Sequence, residues 1–175
     1  MKKLIALVIM LCLCCTAALA EEKTVVTWAD VEGALAESGV TGAFATLDVL
    51  GLQIFVPNGL NPVEVPEADA AAGRLYLFMA DDQSAYLTVD ALNVEGMTLD
   101  QLFENSKASE TLANVEMVNI NGLDFVVYQN TEANIYSACL VDTNSNVIVF
   151  SMGPASEDGA EQVFFIVTAS LQPAA

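Results

Sequence analysis

The chain has 175 residues, with 23 acidic against 5 basic side chains, no histidine and a formal net charge of −18. Affinity for phosphate backbones and anionic membrane surfaces comes mainly from Lys and Arg displacing counterions, so this balance excludes nucleic acid and favours solubility, cation accumulation or a basic partner. The missing histidine removes the usual general base of serine and cysteine hydrolases and the commonest ligand of catalytic zinc.

Residues 1–20 read as a cleaved signal peptide. Lys2 and Lys3 form a basic start, an apolar run follows from Leu4 to Leu13, and Ala18 and Ala20 supply the small residues at −3 and −1 of a cleavage site. The apolar stretch from Leu4 to Ala20 includes Thr16 and falls short of the roughly 20 residues that span a bilayer, so an uncleaved anchor is the weaker reading, and no membrane span is expected after cleavage. A lipid anchor on Cys15 is the less favoured alternative, because Leu11, Leu13 and Cys14 precede the three early cysteines where a small residue is needed. Cleavage leaves Lys23, Arg74 and Lys107 as the only cations and a charge of about −20. It also leaves Cys139 alone, so no internal disulfide is expected. The alternating pattern around Cys139 reads as an inert thiol within a strand. The roughly 155 remaining residues suit one domain.

An extended start over 21–26 leads into a helix through TWADVEGALAESG, opened by a capping box between Thr27 and Asp30 and ended by Gly39. LDVLGLQIFVP predicts one or two strands closing at Pro57, and NGLNPVEVPEADAAAG, with its Asn-led turns and prolines, predicts a surface loop. RLYLFMADD and SAYLTVDALNV form a hairpin turning at Asp81, Asp82 and Gln83. MTLDQLFENSKA follows as a helix with Thr98 as N-cap. NVEMVNI and LDFVVYQ flank Asn121-Gly122, the dipeptide that most strongly signals a hairpin. IYSACLVD and NVIVFSMG pair next, turning at Thr143 to Ser145, and a final helix starts near Ser156 with Glu157 and Asp158 in its first turn.

Strand runs interrupted by helices indicate an α+β fold with a largely antiparallel sheet packed against helices. From about Leu47 to Pro173 the order of elements resembles the PsbP-like fold of the photosystem extrinsic protein, the Mog-type Ran-binding proteins and many exported bacterial proteins. The resemblance rests on LQIFVPNGL as an opening strand, TLDQLFENS as a middle helix, VNINGLDFVVYQ as a central hairpin and a closing helix ending in ASLQP. It places a domain at 47–175, leaves 21–46 as an N-terminal extension with an extra short helix, and implies a binding or assembly role without a named ligand.

No P-loop, GxGxxG or GxSxG pattern occurs. Paired carboxylates are the remaining catalytic apparatus: Asp81-Asp82, Glu67-Asp69 and Glu157-Asp158, all read as turn or helix-start residues. Asp142-Thr143-Asn144-Ser145-Asn146 opens like a calcium loop, then fails where Val147 replaces the required Gly and Gly153 the closing Glu. Asp142 and Asn144, with Asp81 or Asp82, remain candidate ligands for weak divalent binding. Tyr76, Phe78, Tyr86, Tyr128 and Tyr136 read as cross-strand packing, with an aromatic binding face as the alternative. The preferred reading is an exported, non-enzymatic module without a cofactor that binds an unknown protein or small ligand outside the cytoplasm. A carboxylate-dependent enzyme such as a glycan hydrolase, and a low-affinity cation-binding surface protein, are the alternatives.

Overall fold

A computed structural model describes residues 23–174, so the expected cleavage site at Ala18 and Ala20, and Cys15, lie outside the described residues. In chain order the strands are β1 (Thr24–Val26), β2 (Gly42–Leu47), β3 (Leu52–Pro57), β4 (Leu60–Val63), β5 (Arg74–Ala80), β6 (Tyr86–Asn93), β7 (Leu112–Ile120), β8 (Leu123–Asn130), β9 (Ile135–Val141), β10 (Asn146–Gly153) and β11 (Gln172–Pro173). The helices are α1 (Trp28–Ser38), α2 (Glu67–Ala71), α3 (Leu99–Lys107) and α4 (Ala160–Ala169).

Eight strands form one sheet in the order β1-β7-β8-β9-β10-β6-β5-β4, and three form a second in the order β11-β3-β2. The large sheet is antiparallel except where β1 lies parallel to β7. Local chemistry sets its hairpins. Asn121 and Gly122 take φ of 49° and 87°, the two left-handed positions that a two-residue hairpin turn needs, and Asn tolerates the first. At the start of α3, Thr98 accepts a hydrogen bond from the Gln101 amide while its own amide donates to the Gln101 side chain.

Alternation gives the large sheet two faces. Val118, Ile120, Phe125, Ala138, Ile148, Phe150, Leu87, Val89 and Phe78 line the inner one. Leu47, Ile54 and Val56 of the small sheet pack there, with Phe164, Val167 and Leu171 from α4 and its end. Each of the Val, Leu, Ile and Phe side chains contributes roughly 1.5–3 kcal/mol by leaving water. α3 packs on β7 and β8 and buries Phe103 outside this core, so it covers the outer face. A second cluster, Val26, Val31, Phe55, Ile166 and Ala169, joins α1 to the reverse side of β3 and α4.

Three expectations need correction. The segment expected as a loop after Pro57 contains β4 and α2, and Pro62 is tolerated in β4 because that strand is an edge of the sheet. A strand also begins earlier than expected, at Gly42 rather than Leu47. The last helix starts at Ala160 rather than near Ser156, because Gly159 takes a left-handed φ of 80° and its carbonyl accepts the first bond of the helix, from Val163.

Candidate functional site

Of the candidate catalytic carboxylates, Asp69, Asp81 and Asp82 are engaged by neighbouring side chains. Asp69 and Asp90 both meet Arg74 at 3.0 Å, and Asp81 accepts from the Asn61 side-chain amide at 3.0 Å. Asp82 accepts from the hydroxyl and then the amide of Ser84, and these two bonds hold its carboxyl below the usual range. Asp142 accepts from the Asn144 and Asn146 amides at 2.7 and 2.8 Å and from the Asn146 side chain at 2.8 Å; the Asn146 side chain is the main cause of its lowered pKa. Both of its oxygens therefore tie the β9–β10 turn. Among the described residues, the buried polar ones are all hydroxyls: Thr88, Ser106, Ser137, Ser151, Thr168 and Ser170. Cys139 is buried beside the Tyr128 hydroxyl, 3.4 Å away, and burial pushes its thiol up to about 11.

The metal candidates are not brought together. The Asp142 turn precedes Asn146, at one end of β10, whereas the Asp81-Asp82 turn precedes Tyr86, which pairs with Gly153 at the other. Eight strand residues at about 3.4 Å each separate the two ends. Among the described residues no group of three or more Cys, Asp and Glu is placed to hold a metal. The five aromatic residues also divide. Tyr76, Phe78 and Tyr136 belong to the inner core, while strand alternation turns Tyr86 and Tyr128 to the outer face.

An open hollow of about 290 Å³ lies where four segments meet: the β3–β4 turn, the ends of β5 and β6, the end of β10 and the start of α4. Pro57, Leu60, Ala80, Ala85, Met152 and Val163 give it apolar walls. Asn58, Glu157 and Asp158 are its exposed polar members, and no Lys or Arg lines it. The hollow exists because small residues converge there, among them Gly59, Gly153 and Gly159. This site was not read from the sequence; the only signal for it is the run of Gly and Ala at the ends of elements that meet in space.

No helix among the described residues is long and apolar enough to cross a membrane. No match was found among protein-family models or curated proteins. Among solved structures the chain is similar to the solution structure of cyanobacterial PsbP (CyanoP) from Synechocystis sp. PCC 6803, with 18% sequence identity and a TM-score of 0.54. The match covers 77% of this chain and 94% of that one. At that identity the likeness is one of fold, and it agrees with the α+β order of elements and the packing described above: the chain has a PsbP-like fold.

Proposed function

We propose that the chain is an exported, non-enzymatic binding module whose hollow receives a cationic group on an aliphatic stem, such as a Lys side chain of a partner outside the cytoplasm. The observation that carries this reading is the combination of apolar walls with Glu157 and Asp158 and no cation in the same lining. An aliphatic stem gains by leaving water against Leu60, Met152 and Val163, at roughly 25 cal/mol per Å². Its charged tip stays at the opening, near carboxylates and in contact with solvent. The net charge of −18 supports the choice of a basic partner.

Titration with Nα-acetyl-lysine methylamide, followed by NMR, tests the site. Amide shifts at Gly159 and Ala160 and methyl shifts at Met152 and Val163 are expected, weakened about fivefold or more in the Glu157→Gln/Asp158→Asn double variant. Equal response to the uncharged norleucine analogue would remove the role given to the carboxylates. Export is tested separately by mass spectrometry of protein from the host: a mature start at Glu21 is expected, and Met1 or a lipidated Cys15 would overturn it.

A further inference from the structure

The small sheet has one edge that nothing among the described residues closes. The Asn58 amide donates to the Thr41 carbonyl at 2.7 Å, and β2 pairs with β3 in unbroken register from Gly42↔Pro57 to Leu47↔Leu52. In an antiparallel ladder, bonded pairs alternate, so the residues bonded to β3 are Ala43, Ala45 and Leu47. The amides and carbonyls of Gly42, Phe44 and Thr46 therefore point away from it, and β2 ends the sheet.

Exposed edges usually carry some protection. β4 contains Pro62, β11 is two residues long and ends in Pro173, and β1 has three residues. β2 has none of these features: GAFATL is six residues without charge, proline or bulge. Phe44 remains 41% exposed although its ring meets Trp28 at 5.4 Å and Phe55 at 6.0 Å. The edge thus offers three outward donors and three outward acceptors beside an aromatic surface that an incoming side chain can extend.

We propose that this edge takes up an extended, basic segment of a partner as a fourth strand of the small sheet. The idea rests on reading the chain as a binding module, but not on the hollow. Charge selects the occupant: the chain carries −18, and the strand runs directly into exposed Asp48. Lys23 and Arg74 are already held by Asp124 and by Asp69 and Asp90. A second copy would bring −18 against −18, and pairing of two six-residue strands falls well short of the roughly 1,200 Å² of a stable interface. Lys or Arg flanking an uncharged, β-forming run meets both the ladder and the field.

The probe is an acetylated, amidated peptide, Lys-Lys-Thr-Val-Thr-Val-Lys, titrated into the labelled full chain. Amide shifts and slowed exchange at Gly42, Phe44 and Thr46 are expected, with binding roughly tenfold tighter than for the same peptide carrying Glu at its Lys positions. Thr46→Pro removes one outward N–H and no bond to β3, and it should weaken the peptide about tenfold or more while leaving the lysine analogue's response at Gly159 unchanged. N-methylation of the peptide amides that would face β2 gives the same loss without altering the chain. Absence of shifts along β2, equal binding by the acidic peptide, or equal binding after N-methylation would overturn the proposal. So would concentration-dependent dimerisation of the chain that Thr46→Pro abolishes, because the edge would then serve a second copy. A lost hollow response with β2 shifts retained would instead remove only the function proposed for the hollow.

Discussion

The two sides of β3 are finished differently. On one side the Ser170 hydroxyl accepts from the Phe55 amide at 2.7 Å and donates to the Val167 carbonyl at 2.6 Å, so the end of α4 takes the place of a neighbouring strand. β11 continues that side at Leu52 and Gln53, and the Ala174 amide closes it on Gly51. On the other side lies β2, whose own outer edge is open. The closed side is made by residues more than 100 positions away in sequence, whereas the open side is made by the nearest hairpin. Closure here depends on long-range docking, and the edge left to local pairing is the one proposed above to take a partner's strand.

Substitutions can break this contrast, beginning with the largest effect. Ala45→Pro removes an amide that bonds β3 and should cost about 3 kcal/mol or more, against less than about 1 kcal/mol for Thr46→Pro, both read by urea unfolding. On the closed side, Asn121 accepts from the Trp28 amide and donates to the carbonyls of Ala169 and Leu171, each at 2.8 Å. Asn121→Ala should lose about 3 kcal/mol, and Asn121→Gly about 1 kcal/mol less, because glycine keeps the left-handed turn while losing the same bonds. Ser170→Ala leaves the Phe55 amide buried without its partner and should cost about 2 kcal/mol.

The smallest effect belongs to the Lys23–Asp124 pair, 2.7 Å apart with both side chains 38% exposed. Lys23→Ala should cost no more than about 0.5 kcal/mol at pH 7. Lys23, and then Asn119, hold the Asp124 carboxyl below its ordinary 3.8. A carboxyl lowered by folding stabilises above the unfolded value and loses that contribution as pH falls through the folded one. Lys23→Ala should therefore flatten the stability profile below about pH 4, and an unchanged acid limb would show that the pair does not contribute.

Features with local causes were legible in the sequence. Asn121-Gly122 announced its turn, Thr98 its cap, and the alternation of NIYSACLVDT the buried thiol, because each depends on neighbours a few positions away. β2 was not, since its small residues carry little strand preference and its pairing comes from β3. β4 and α2 were hidden by Pro62, Pro66 and the Asn turn signals, which mark loops unless an edge position tolerates them. The only signal of the hollow, Gly and Ala at the ends of elements, is scattered over the four separate segments that build it, so no single stretch of sequence marks it.

Asn121 also bears on the order in which the fold can be completed. Its side chain holds the start of α1, 93 residues earlier, and two carbonyls 48 and 50 residues later. The central hairpin can turn as soon as it is made, but its latch stays empty until chain from both directions arrives. A chain cut before Leu171 would keep the hairpin and lose part of what fastens it, so a middle turn reports whether both arms have docked.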